Sequence, residues 1–159
     1  MFTKSNRLNG ALRASSLKDL VSQTNFEDLL QLRSLVMYVV SFSGFLRSAE
    51  ILELRRSDII YKSDDIEINI VKSKTDHLRD GKTLVIAETG GDLCPVKLLQ
   101  LYLSKVEIPD NSKEYIFWAI SSSRSRRSLF LPTGTFRTLL TENLSKRHLR
   151  VLFLTFETI

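Results

Sequence analysis

The sequence has 159 residues, of which 43% are hydrophobic and 26% charged, proportions that are typical of one globular domain and exclude a fibrous or wholly disordered chain. Its 23 Lys and Arg against 18 Asp and Glu give a net charge of +5, which favours a polyanionic partner such as nucleic acid or an acidic membrane surface. The single cysteine excludes an intramolecular disulfide and fits a reducing, intracellular location. The two histidines have no metal-ligand spacing, and no apolar run approaches the roughly 20 residues that a membrane helix needs.

The first part of the chain predicts a basic arm followed by a long helix. Residues 1–25 mix basic and small polar residues, with one short helix expected around Ala11–Val21. Thr24 is followed three residues later by Glu27, a capping-box pattern in which hydroxyl and carboxylate each satisfy a free backbone amide. The main helix is therefore expected to begin near Phe26.

This main helix carries a core-facing stripe and is followed by a shorter helix. Gly44 interrupts the pattern and is expected to end the first helix. The second helix is predicted from about Ser48 to near Ser57. The apolar residues that recur at helical spacing in the first helix are Leu29, Leu32, Val36, Val39 and Val40.

Three antiparallel strands are predicted next. The apolar segment Ile59–Tyr61 precedes turn residues at 63–65, and Thr83–Ile86 follows a basic, polar turn at 72–82. The middle strand shows alternation of apolar and mostly polar residues, and its apolar residues are Ile66, Ile68 and Ile70. The sequence thus predicts an α+β fold, with helices packed around a small three-stranded antiparallel sheet.

The remaining elements are one clear helix and several weaker segments. Pro95 occupies a first helical position behind Cys94, which is expected to cap or pack at the helix start. Residues 115–120 form a short apolar piece in which Phe117 and Trp118 are expected in the core. The serine- and arginine-rich stretch 121–128 predicts a loop, and a further helix is predicted from Thr135 to about Leu144. The apolar face of the helix after Pro95 comprises Val96, Leu98, Leu99, Tyr102 and Leu103.

Two stretches carry side chains that are suited to phosphate. Arg47, at a predicted helix start, offers a planar guanidinium for bidentate contact, and Glu50 lies one turn later on the same face, where it is placed to brace the arginine. An exposed ion pair explains this spacing equally well. The second stretch is the predicted hairpin turn, from which a flexible lysine would reach into a groove. A solvated charged turn is the simpler explanation of its composition. Its basic residues are Lys72, Lys74 and Arg79.

Taken in chain order, these features resemble the catalytic domain of the tyrosine recombinases, or phage-type integrases, and especially their eukaryotic mobile-element branch. In that family, a leucine-arginine pair with a glutamate three residues on precedes a D-I pair, a three-stranded sheet, a hairpin K-T and a C-P-V helix. The resemblance covers about residues 26–105. The matching residues are Leu46, Arg47, Glu50, Asp58, Ile59, Lys74, Thr75, Cys94, Pro95 and Val96.

The resemblance implies the fold of the N-terminal half of such a catalytic domain and a role in DNA binding, DNA recombination and DNA integration. It also implies DNA and further recombinase subunits as partners, a nuclear location, and phosphoryl transfer without a metal ion or other cofactor. Arg47 would be a catalytic arginine that clamps the scissile phosphate, with Glu50 as its brace. Lys74 would be the catalytic lysine that protonates the departing sugar oxygen, with Lys72 as the alternative. The residues implied to bind DNA phosphates are Arg47, Lys72, Lys74 and Arg79.

The later family motifs have no counterpart in this sequence. His148 and Arg150 are one position too close for H-x-x-R, which on a helix would place them about 200° apart. All tyrosines precede the place where H-x-x-R would stand and are expected to be core or packing residues rather than the nucleophile: Tyr38, Tyr61, Tyr102 and Tyr115. Residues 26–144 are therefore expected to form a partial catalytic domain and residues 145–159 an atypical tail.

An incomplete and inactive recombinase copy is the expectation that follows, and enzymatic activity is left open. A non-catalytic DNA-binding or interaction protein derived from a mobile element is the first alternative. A basic α+β domain unrelated to recombinases, in which Arg47 is an ordinary surface residue, is the second.

Overall fold

The computed structural model of the chain describes residues 14–71, 81–120 and 126–130. It has the predicted α+β class, because helices pack around a three-stranded antiparallel sheet. The α-helices of the described part are α1 (Ala14–Gln23), α2 (Leu29–Gly44), α3 (Ser48–Leu52) and α4 (Pro95–Val106). The second predicted helix thus ends at Leu52 rather than near Ser57, and a separate 3-10 helix spans Arg56–Asp58. The strands are β1 (Ile59–Tyr61), β2 (Asp65–Ile70), β3 (Lys82–Ala87), β4 (Trp118–Ile120) and β5 (Arg126–Phe130).

The predicted capping box at the start of α2 is wrong. Asp28 is the N-cap, and its carboxylate accepts hydrogen bonds from the backbone N–H groups of the second and third helical residues at 2.9 and 3.4 Å. Thr24 instead donates its hydroxyl hydrogen to a carbonyl oxygen of α1 at 2.7 Å, and Glu27 pairs with Lys105 at 3.0 Å. Because both predicted capping groups are used elsewhere, α2 begins three residues later than Phe26.

Helix α2 lies at the centre of the core. All its residues from 32 to 41 are buried, which is more than the single apolar stripe that its spacing predicts. The reason is that α1, α3, α4 and β3 all pack around it. Even Arg33 is only 2% exposed, and its Nη1 donates to the carbonyl oxygen of Trp118 at 2.6 Å. This bond ties the helix to β4.

The three-stranded sheet has the predicted order and direction, with β2 between β1 and β3. Ile68 pairs with Ile59 on one side and with Leu84 on the other. The inward residues of β2 are buried, as their alternation predicts, whereas the outward row Ile60, Glu67 and Val85 remains accessible to solvent. The sheet thus covers one side of the core with its isoleucine face.

Helix α4 begins and packs as predicted. Cys94 is the N-cap residue and is buried, and its sulfur accepts a hydrogen bond from the backbone N–H of Thr89 at 3.4 Å. Pro95 follows as the first helical residue, where its missing N–H and fixed φ cost nothing. The predicted apolar face of this helix is buried: Val96, Leu98, Leu99, Tyr102 and Leu103.

The segment after α4 is joined to the core by aromatic residues. Tyr102 donates its buried hydroxyl hydrogen to the carbonyl oxygen of Ile116 at 2.8 Å, and its ring stacks on that of Phe117 with the centroids 5.4 Å apart. Phe117 and Trp118 are both buried, which confirms their prediction as core residues.

The predicted loop at residues 121–128 is wrong for residues 126–128, and residues 121–125 lie outside the described part of the chain. Residues 126–128 belong to β5, which pairs antiparallel with β4 through Trp118 opposite Phe130 and Ile120 opposite Arg126. Pairing with β4 satisfies the backbone groups of this polar stretch, and composition alone does not show such pairing. The predicted helix from Thr135 to about Leu144 and the tail at 145–159 lie outside the described residues.

Candidate functional site

The corner between α2 and α3 places Arg47. Phe45, directly after α2, has the left-handed backbone conformation φ 50, ψ 39, and the N–H of Leu46 reaches back to the carbonyl oxygen of Ser41 at 2.9 Å. This is a Schellman closure, which normally has glycine at the left-handed position. Gly44 is instead the last residue of α2, and its lack of a side chain allows close packing, since a Cβ there would lie 3.3 to 3.5 Å from the side chains of Leu46 and β3.

Arg47 is the N-cap residue of α3, and Glu50 fixes its backbone. The Arg47 N–H donates to Glu50 Oε2 at 2.8 Å, and the Arg47 carbonyl oxygen accepts from the N–H of Ile51 at 3.1 Å. Because a guanidinium has no acceptor, only the carboxylate half of a capping box is possible here. Both Arg47 and Glu50 are half-buried. The structure thus brings together the two residues that the sequence pairs, through the arginine backbone.

A second arginine with the same arrangement follows, which was not predicted from the sequence as a site residue. The N–H of Arg55 donates to Asp58 Oδ2 at 2.9 Å. Its guanidinium lies 4.5 Å from the ring centroid of Tyr115 and donates to the hydroxyl oxygen of that residue at 3.1 Å and to the carbonyl oxygen of Lys113 at 2.8 Å. The repeated spacing, arginine with a carboxylate three residues on, was the available signal.

Arg56 is a structural residue rather than a candidate phosphate ligand. It is 6% exposed, its Nη1 donates to the carbonyl oxygen of Ile59 at 3.1 Å, and its Nη2 forms an ion pair with Asp110. Its guanidinium also lies 5.6 Å from the ring centroid of Tyr61. Burial raises the pKa of Tyr61 to about 12, an effect that Arg56 partly offsets and that Asp110 reinforces. Arg56 therefore ties the segment after α3 to the loop after α4.

A cleft of about 200 Å³ lies beside this corner. It joins the C-terminal end of α3 to the end of β2, so Glu50 and Val71 line the same space. Three carboxylates and one guanidinium in the lining make it acidic, which disfavours a phosphate inside the cleft itself. Its lining among the described residues is Glu50, Glu53, Leu54, Arg55, Asp58, Asn69, Ile70, Val71 and Tyr115.

A solved protein structure is similar to this chain in fold. A crystal structure of XerA recombinase superposes with a TM-score of 0.64 at 19% sequence identity. This chain has a recombinase-like fold. The superposition covers 99% of this chain and 50% of the XerA recombinase chain, so the chain spans half the length of that neighbour. No family model and no curated protein matches the sequence.

In this recombinase-like fold, the predicted hairpin residues Lys72, Lys74 and Arg79 lie outside the described residues. The last described residue before them is Val71, which lines the cleft. After them the described chain continues into β3, where Lys82 pairs with Ile70. Of the described residues that flank positions 72–80, Val71 therefore lines the cleft together with Glu50, and Lys82 lies opposite the lining residue Ile70. Lys82 is exposed, pairs with the cleft residue Ile70, and is a further basic group that was not predicted from the sequence.

The four tyrosines are packing residues, as expected. Tyr38 and Tyr102 are 2% and 0% exposed, and burial raises the pKa of both phenols. Tyr61 lies partly buried at the end of β1, and Tyr115 lies under Arg55. These positions give each ring a structural role.

Two negative findings apply to residues 14–71, 81–120 and 126–130. No group of three or more His, Cys, Asp or Glu side chains is arranged there to hold a metal ion. None of the helices in those ranges is both long and apolar enough to cross a membrane.

Proposed function

We propose that this chain is a tyrosine-recombinase-like domain, with residues 26–144 as its recombinase-like unit, that binds DNA phosphates at the α2–α3 corner through Arg47. The observation that carries the proposal is the fixed backbone of Arg47, held by Glu50 at 2.8 Å within a recombinase-like fold. A guanidinium on a constrained backbone loses less conformational freedom when it binds, and its fork matches two phosphate oxygens.

The basic hairpin supplies the remaining charge in this proposal. Lys72, Lys74 and Arg79 belong to the predicted turn between β2 and β3, and the residue before this turn, Val71, lines the cleft with Glu50. Their positive charge would compensate for the acidic lining and bind neighbouring phosphates, with Lys74 at the position of the family's catalytic lysine and Lys72 as its alternative. Phosphate contacts of this kind give affinity without sequence preference.

We propose that the chain takes part in DNA recombination and DNA integration only together with catalytic groups that this sequence does not supply. It contains no H-x-x-R motif, and its tyrosines have the packing roles described above. A further recombinase subunit would be the source of a nucleophilic tyrosine. The chain alone is therefore proposed to bind DNA without cutting it, in the nucleus of its cell.

The binding test uses a fluorescently labelled DNA duplex, with anisotropy measured over a series of salt concentrations. Arg47→Ala should weaken binding about tenfold at 0.1 M salt and make the slope of log K against log[salt] shallower by about 0.9, the effect of one lost phosphate contact. Lys62→Ala is the matched control, since it removes the same charge at the far end of β2, where Lys62 is half-exposed and 3.7 Å from Glu67. Equal losses for both variants would contradict a specific role for Arg47.

The cleavage test uses a nicked duplex that traps a covalent protein–DNA intermediate. The whole chain, incubated alone with this substrate, is expected to give no species of reduced mobility on a denaturing gel. A covalent species that disappears in Arg47→Ala would show that the chain supplies its own nucleophile, and the binding-only proposal would be wrong.

A further inference from the structure

Phe45 occupies a backbone position that favours glycine. Its φ of 50 is one of two positive values among the described residues other than glycine, and the second belongs to Glu107, with a φ of 54. The left-handed conformation brings Cβ close to the following carbonyl oxygen, a cost that glycine avoids. Gly44 immediately precedes this position and does not occupy it. The backbone therefore gives no reason for a phenylalanine here.

Packing gives no reason for it either. Phe45 is 74% exposed, the highest value among the exposed large hydrophobic side chains of the described residues. The residues on either side, Gly44 and Leu46, are both buried. A large ring is thus held in solvent between two core residues, although burial of an aromatic side chain is among the largest stabilising contributions that a residue makes. A side chain that is costly in both respects points to a contact outside the described residues.

The position of Phe45 indicates which contact. It precedes Arg47 by two residues, so the two Cα atoms lie within roughly 7 Å of each other. Successive bases of one DNA strand are separated by about 3.4 Å along the helix axis. A ring at Phe45 therefore reaches the nucleotide whose phosphate Arg47 would bind, or a neighbouring nucleotide. Aromatic side chains stack on bases that are not stacked within a duplex.

We propose that Phe45 stacks on an unpaired nucleobase beside the phosphate that Arg47 binds. This contact would give the chain a preference for DNA that presents such a base over an intact duplex. It rests on the proposed function, because Arg47 must first bring the strand to the α2–α3 corner. It goes beyond that function by naming the feature of DNA that the corner recognises.

The test compares two labelled duplexes that differ only by one unpaired adenine. The whole chain should bind the bulged duplex more tightly than the intact one. Phe45→Ala should lose about 5- to 150-fold in affinity for the bulged duplex, the range for one base–aromatic stack, and little for the intact duplex. Phe45→Trp should retain the preference. Glu107→Ala is the matched control, since it alters the other exposed left-handed residue, at the end of α4.

The outcomes separate the two proposals. If Arg47→Ala loses affinity for both duplexes while Phe45→Ala binds like the unmodified chain, only the stacking contact is wrong. An equal loss for Phe45→Ala on both duplexes also overturns it, because the contact would not depend on an unpaired base. If the unmodified chain binds neither duplex, the proposed function fails, and base stacking fails with it. Thermal unfolding of each variant, with Phe45→Trp as the second substitution, identifies any loss caused by misfolding.

Discussion

Removing the carboxylate of Glu50 is expected to destabilise the corner that holds Arg47. The hydrogen bond joins the Arg47 N–H to Glu50 Oε2 at 2.8 Å, and both residues are half-buried. A lost N-terminal cap costs about 0.5 to 2 kcal/mol, and a hydrogen bond to a charged group about 1.5 to 3 kcal/mol. Because water reaches this half-buried amide and replaces part of the bond, we expect Glu50→Ala to lower the free energy of unfolding by about 1 to 2 kcal/mol.

The assay is urea unfolding followed by the fluorescence of Trp118, the single tryptophan, which is 4% exposed in the folded chain. Glu50→Gln keeps an acceptor oxygen and should lose less than half as much stability as Glu50→Ala. Glu53→Ala removes an exposed carboxylate of the same cleft and should change stability by less than about 0.5 kcal/mol. Equal losses for Glu50→Ala and Glu53→Ala would refute the bracing role of Glu50.

Two further predictions concern buried phenols. Tyr102→Phe leaves the carbonyl oxygen of Ile116 without its 2.8 Å donor in the core and should cost about 1 to 3 kcal/mol in the same urea assay; an unchanged midpoint would contradict this. For Tyr61, burial raises the folded pKa to about 12, above the value of about 10 in an unfolded chain. The resulting stabilisation is fully present below pH 10 and is lost as the pH rises towards 12, because the unfolded chain loses this proton first. A difference absorbance titration of the chain against Tyr61→Phe measures the midpoint, and a value near 10 would be inconsistent with burial.

The sequence predicted elements whose signal is local. Alternating isoleucines are enough to define β2, because a strand buried on one face exposes every second residue. Pro95 and the apolar face behind it define α4 in the same way. The adjacency of Arg47 and Glu50 was also predictable, since residues three apart meet on one helical turn. Local spacing thus gave the class of fold and the candidate corner.

Features that depend on distant partners were not predictable. Arg33 is buried because a carbonyl oxygen 85 residues away accepts its hydrogen bond, and no local pattern indicates that partner. Arg56 likewise has the same local appearance as an exposed arginine until Asp110 and Tyr61 are placed around it. The choice of Asp28 as the N-cap of α2 depends on Thr24, the other candidate cap, being hydrogen-bonded to a carbonyl oxygen of α1.

The most direct test of the account is a double-mutant cycle between Arg47 and a single DNA phosphate. Each phosphate of a short duplex is replaced in turn by an uncharged methylphosphonate, and the affinity of each duplex is measured for the whole chain and for Arg47→Ala. If Arg47 binds a phosphate, neutralisation at one position, or at two adjacent ones, should weaken binding of the unmodified chain about tenfold but leave Arg47→Ala unaffected. Identical profiles for the two proteins, differing at no position, would show that Arg47 binds no phosphate and would contradict the proposed function.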